Sequence, residues 1–317
     1  MMKKYRAVIS SNHVDKHGDV MMKESLEKMV ETINSNVKAR MGVDHRRDFP
    51  PKGRLENAEL VEKDGYYLVI ADFCPYEKME IVSWDKTLII ESFDTPFQFI
   101  EVENEETNSS SISIDYTNFK STEDAEKFSA FLKSQEELDL TIEHHGRKAE
   151  IPDPEIIFKF ANTVLFYLLI KPTVKRIGEK IADEISEKAI IETKKLTNLI
   201  GKSLKEFFYI CIPKTRPATI VFEFTGKPHI ELIARTRDEK LVLKGLRDNQ
   251  LKEIQHEIGK LSESIQIAKV QFLLSEKGKW KFNYLITEKG ETIGKKVSFS
   301  KRDRKLEMIS KKRKNGR

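Results

Sequence analysis

Cysteine is nearly absent: the 317 residues contain two, Cys74 and Cys211. They lie far apart, which excludes a disulfide framework or a zinc site built on paired cysteines and fits a reducing, cytoplasmic compartment. Missing too is a run of about twenty apolar residues, the length that crosses a bilayer. The longest candidate, Glu155 to Ile170, has sixteen residues and carries Lys159, so a buried or interfacial helix is expected there and no transmembrane span. Met1 to Arg6 leads straight into a strand pattern, so no signal peptide is expected. The chain has no G-x-x-x-x-G-K-S/T loop, no G-x-G-x-x-G, no H-E-x-x-H and no internal repeat. That removes the sequence grounds for a phosphate cradle, a dinucleotide fold or a zinc peptidase, and no cofactor is expected.

What is abundant is charge, at 34% of residues against 39% apolar, a balance that suits a charge-rich globular chain. The net charge of +5 conceals an asymmetry. Residues 1 to 150 carry 20 Lys and Arg against 30 Asp and Glu, and residues 151 to 317 carry 36 against 21, so the halves stand at −10 and +15. Halves of opposite sign point to different partners, or to each other.

The densest polar chemistry lies between Val14 and Arg54, where V-D-K-H-G-D-V and G-V-D-H-R-R-D-F-P-P-K-G-R flank a helical stripe of Leu26, Met29, Val30 and Ile33. Tyr5 to Ser10 reads as a strand before it, and Leu60 to Phe73 as a hairpin turning at Asp64-Gly65 after it. More strands are expected between Ile81 and Phe99. Glu101 to Ser111 is acidic and then serine-rich, without apolar periodicity, and reads as a surface loop. S-T-E-D at Ser121 to Asp124 has the form of a capping box opening a helix, and Leu138 to His145 alternates like a half-buried strand. Gly146 to Pro154, broken by two prolines, is the expected domain boundary.

Beyond it the expected order is a helical connector to about Lys205 and then strands 218–224 and 230–235, a helix over 240–262, and strands 267–275 and 279–287. Residues 300 to 317 hold nine basic and two acidic residues and no aromatic one, which reads as a basic tail. The fold class is therefore α+β. Its expected domains are 1–150, a connector at 151–205, a small α+β domain at 206–299 and a tail at 300–317.

The order of strand, polar loop, helix, strand with His45 and hairpin, together with V-D-x-H-G-D-V, x-x-D-H, P-x-G-R and D-G-Y-Y-L-V, resembles the prohead proteases of tailed phages. That serine-protease family is related in fold to the herpesvirus assembly proteases, and the resemblance covers roughly the first 120 residues. It implies a β-barrel with helices for the N-terminal domain. It also implies that His45 is the general base and that the nucleophile lies in a strand of the form apolar-S-I-G-aromatic, matched by Ile112 to Tyr116, so that Ser113 is nominated. Asp115 stands where the family has glycine.

A serine hydroxyl needs an imidazole to take its proton, and the imidazole needs a third group to hold it. For that group Asp139, Glu143, His144 and His145 are open. The herpesvirus relatives use a histidine there, and by that resemblance His144 is nominated as the third member. Arg46 and Arg47, which follow the base, are candidates for stabilising an oxyanion. His13, Asp15, His17, Asp19, Asp44 and His45 are ligand types for hard or borderline cations, but turn chemistry accounts for them and no metal is assigned. The expected function is hydrolysis of a peptide bond in a protein partner or in the chain itself, with a role in phage biology or bacterial defence by analogy. The contrasting expectation is a protease fold kept without catalysis as a binding module. An oligomer is expected, and the basic tail suits weak, non-specific nucleic-acid contact.

Overall fold

The computed structural model describes residues 4–14, 20–35, 39–43, 46–83, 87–99, 110–135, 140–145, 153–160 and 179–315. It is mixed α+β, with six helices among the described residues and sheets that do not close into a barrel. The chain forms two compact units, residues 1–103 with 283–317, and residues 104–282.

In the first unit, β1 (Tyr5–Ser11), β2 (Ala39–Arg40), β3 (Gly53–Lys63) and β4 (Tyr66–Pro75) form an open antiparallel sheet in the order β1-β4-β3-β2. The expected barrel is not formed: among the described residues β1 and β2 each pair on one side only, and the sheet stays open. The β3–β4 turn falls at Asp64 and Gly65 as expected, both at positive φ, the requirement of a tight hairpin that matches strand twist. Helix α1 (Lys23–Asn34) buries Leu26 and Ile33 against Ala58, Val69 and Ala71. It is clamped where β3 slips register between Glu56 and Glu59: Asn34 Nδ2 donates to the Ala58 carbonyl at 2.8 Å, and Asn34 Oδ1 accepts from the Ala58 N–H at 2.8 Å. One amide side chain thereby satisfies both backbone groups of a residue near the irregularity.

The same unit holds β5 (Lys78–Ser83) and β6 (Thr87–Ser92), with β14 (Thr292–Lys295) paired to β6 and to residues 284–286 of β13 (Trp280–Thr287). Tyr76, Phe99, Tyr284 and Ile286 form its core, closed by Phe93 and Phe97. The end of the chain, expected as a tail, is a helix, numbered α6 here (Lys296–Asn315). Arg302 on α6 is fully buried and donates from Nη1 and Nη2 to the two Glu91 carboxylate oxygens at 2.8 Å each, with a third bond to the Pro51 carbonyl at 2.8 Å. A buried guanidinium is tolerated only when its donors are met in this way.

In the second unit, β7 (Ser110–Asp115), β8 (Leu140–His145), β9 (Glu155–Phe160), β10 (Ala218–Phe224), β11 (His229–Thr236) and β12 (Ile267–Leu274) form a mixed sheet in the order β12-β11-β10-β9-β7-β8. Strand registers set one face. Ile112, Ile114, Ile156, Phe158, Phe160, Ile220, Phe222, Phe224, Leu232, Val270 and Phe272 align across five strands and are all buried. Each such side chain contributes about 1.5–3 kcal/mol of transfer free energy.

This face carries a layer made by α2 (Thr122–Lys133), α3 (Glu179–Ile210), α4 (Glu239–Gly245) and α5 (Asp248–Ser262). Phe128 of α2 lies 5.8 Å from Phe207 of α3. The capping box acts as expected, with Ser121 Oγ accepting from the Asp124 N–H at 3.2 Å. The expected single helix over 240–262 is two helices. Its break is at Gly245, where a Cβ would meet Leu274 Cδ1 at 2.8 Å and Trp280 Nε1 at 3.2 Å, and whose carbonyl accepts from Trp280 Nε1 at 2.8 Å.

Two further expectations are corrected. Glu155 to Phe160 is a strand: Ile156, Phe158 and Phe160 face the helices while Glu155, Ile157 and Lys159 face the other way, so an apolar run that looked helical is a strand buried on both sides. Residues 161–178 of the expected helix lie outside the described residues. The boundary expected at Gly146 to Pro154 separates β8 from β9, yet β7 on one side of it pairs antiparallel with β9 on the other, so both belong to one sheet and one unit.

Candidate functional site

The second face of the β7–β8–β9 sheet is polar apart from Ile157, which lies opposite Ser113. Alternation sends Ser111, Ser113 and Asp115 of β7 to it, and the parallel register of β8 (Ser113 opposite Glu143, Asp115 opposite His145) adds Glu143 and His145. From β9 come Glu155 and Lys159. Lys159 Nζ lies 2.5 Å from Glu143 Oε2. Burial pushes the Glu143 carboxyl up, but the Lys159 ammonium and the Ser111 hydroxyl outweigh it and hold it below the usual range.

At the centre, Ser113 Oγ lies 2.9 Å from His145 Nδ1. His145 Nε2 lies 3.8 Å from Glu155 Oε1. Glu155 is buried, and its N–H donates to Asn118 Oδ1 at 2.9 Å. A proton on Nε2 faces the carboxylate and leaves the Nδ1 lone pair for the serine O–H, which is the tautomer a general base requires. At 3.8 Å the Nε2–Glu155 contact is too long for a hydrogen bond at rest, but it places a negative charge where an imidazolium would form.

The sequence-nominated residues fall differently. Ser113 is buried, at 4% exposure, in the strand from which the resemblance nominated it. His144 is not its partner. The register sets His144 opposite Ile114, on the helix-covered face, where Nε2 lies 3.3 Å from Ser129 Oγ. Ser129 Oγ itself donates to the Ala125 carbonyl at 2.9 Å, so His144 donates to the hydroxyl and ties β8 to α2. Strand alternation makes the choice between the two histidines absolute: the neighbours point to opposite faces. Asp115 shares the Ser113 face, but its Oδ1 accepts from the Thr117 N–H at 3.0 Å and the Thr117 hydroxyl at 2.6 Å, capping the short turn Tyr116–Asn118.

His45 lies outside the described residues, as do Asp15, His17, Asp19, Asp44 and Asp139. Arg46, offered for an oxyanion, is engaged by Asp48 at 2.6 and 2.5 Å and stacks on Phe49. His13 stacks on Tyr66 with ring centroids 3.8 Å apart. Among the described residues no group of three His, Cys, Asp or Glu side chains is placed to hold a metal ion, and no helix is long and apolar enough to cross a membrane.

Sequence reading missed Glu155. It opens a segment read as helix, in which it would have been one more N-terminal acid. Read with period two, E-I-I-F-K-F sends Glu155, Ile157 and Lys159 to one side, and that alternation was the available signal. Comparison with family models, with curated proteins and with solved structures finds no match to this chain, so the site rests on its own geometry.

Proposed function

We propose that the protein is a serine hydrolase that cleaves a peptide bond in a protein partner or in itself, with Ser113 as nucleophile, His145 as general base and Glu155 as the charge that supports it. The observation that carries this reading is the 2.9 Å contact between Ser113 Oγ and His145 Nδ1, with Glu155 on the far side of the same ring. In the first step Ser113 Oγ bonds to the carbonyl carbon as its proton passes to Nδ1. The tetrahedral intermediate then collapses, and the same proton goes to the leaving amine, giving an acyl-enzyme that water hydrolyses by the reverse use of His145. Glu155 acts only when the ring is charged, so its contribution is larger in the transition state than at rest. The prohead-protease pattern of the first 120 residues supports a protein as substrate; relative to that pattern the base moves from His45 to His145 and the third member from His144 to Glu155.

A serine-directed fluorophosphonate tests this. Wild-type protein and His144→Ala should be labelled at Ser113. Ser113→Ala should take no label, and His145→Ala should label about 10²–10⁴-fold more slowly, the usual contribution of a general base. The binding-module reading is favoured by the burial of Ser113, since an acyl donor must reach its hydroxyl. Absence of labelling in the folded wild-type chain selects that reading.

A further inference from the structure

The basic stretch that the hydrolase reading leaves unused is a preformed surface. Residues 300 to 317 carry nine basic and two acidic residues, and α6 holds most of them on a helix. One side of that helix is anchored: Ser298, Phe299 and Arg302 are buried, and Leu306 and Ile309 are half-buried. Arg302 is consumed by Glu91 and the Pro51 carbonyl. Of the acids, Asp303 is met by Arg302 at 2.9 Å and by Lys52 at 3.3 Å. Lys301, Arg304 and Lys311 are exposed. At 100° per residue they fall within about 80° of one another, over about 15 Å of helix, on the side away from the anchor.

We infer that this ridge of α6 is an interface for the phosphodiester backbone of nucleic acid. About 15 Å of duplex carries about nine phosphate charges, a line of anions that matches a line of cations held at fixed rise. The described part of the helix exposes no aromatic side chain, so bases are not stacked on it and the affinity comes from phosphate contact. A membrane surface fits less well: a helix lying in the lipid interface needs a broad apolar face to insert, and on the exposed side of α6 only Val297 and Met308, interleaved with the ridge cations, are apolar. An acidic protein partner would ordinarily need an aromatic or aliphatic anchor cluster, and the ridge offers no aromatic side chain and only Val297 and Met308 as isolated apolar ones.

The test uses the full chain with a labelled 20-base-pair duplex, a single strand of equal length and phosphatidylserine-rich vesicles, each titrated across a salt series. The duplex should bind at low salt, with log affinity falling against log salt by about 0.9 for each cation engaged, hence by at least about 2.7 for three. In Lys301→Gln, Arg304→Gln and Lys311→Gln singly, the slope should drop by about 0.9, and the triple variant should lose binding at physiological salt while keeping the wild-type circular dichroism. Lys252→Gln on α5 and Ser113→Ala should bind as wild type, which separates this interface from hydrolysis. Single-strand binding with a slope of about 0.7 per cation also supports the inference. Unchanged affinity and slope in the folded triple variant would overturn it, as would binding to vesicles without binding to either nucleic acid.

Discussion

At the scale of single residues, the fold separates side chains that are equivalent in sequence. His144 and His145 are adjacent in sequence and chemically equal, yet one is tied to Ser129 of α2 and the other lies against Ser113. Arg302 looked like one charge among nine and is instead the buried half of an ion pair. Removing one partner of such a pair leaves the other charge desolvated and alone. Arg302→Leu should therefore destabilise the protein by about 3–5 kcal/mol, whereas Arg302→Leu with Glu91→Leu should recover most of that loss. Urea unfolding of the two variants measures the difference. Equal losses in both would mean that the pair, and not the orphaned carboxylate, carries the effect.

At the scale of elements, the β1–β4–β3 sheet is held at its surface by Asp72, which accepts from Asn57 at 2.8 Å and is paired with Lys4 and Arg6 at 3.0 Å each. The Asn57 amide first, then the Lys4 and Arg6 cations, hold its carboxyl down at about 2. A carboxyl depressed in the folded state stabilises the fold above its ordinary value near 4, and that contribution is lost as pH falls from about 4 toward 2. Asp72→Asn should be less stable than wild type at neutral pH and should show a flatter acid limb, seen in urea midpoints taken at pH 7, 4, 3 and 2. Parallel limbs would show that Asp72 does not contribute. Among the other elements, α1, the Asp64-Gly65 hairpin, α2 with its capping box and β10 to β13 were legible, because periodicity and turn chemistry act within a few residues. Segment 155–160 was not, because a strand covered on both faces loses the polar alternation that marks a strand.

At the scale of the whole molecule, the first unit takes strands and a helix from both ends of the chain, and the second lies between them. Tyr76 Oη meets Thr292 Oγ1 at 2.5 Å, and Arg302 meets Glu91, so residues 283–317 supply core and charge to a unit begun by residues 4–99. Truncation at Phe282 should leave the first unit without these partners, whereas residues 104–282 contain their own sheet, helix layer and apolar face. Expressed alone, 104–282 should unfold cooperatively, and 1–103 alone should show no cooperative transition in chemical denaturation. A cooperative transition for 1–103 would show that the C-terminal strand and helix are accessory.

Short-range physics was thus readable in the residues: which stretches alternate, where turns need positive φ and which helices are capped. The nomination of Ser113 also came from sequence, through a resemblance carried by motifs. Which histidine meets it did not, because the register of β7 against β8 is set by packing over 30 residues of separation. Nor did Glu155, brought to His145 from a third strand, or the burial of Arg302 beside a glutamate 211 positions earlier. Those pairings exist only once the sheet order is formed, since strand pairing joins residues by register and leaves no trace in the local pattern of either partner.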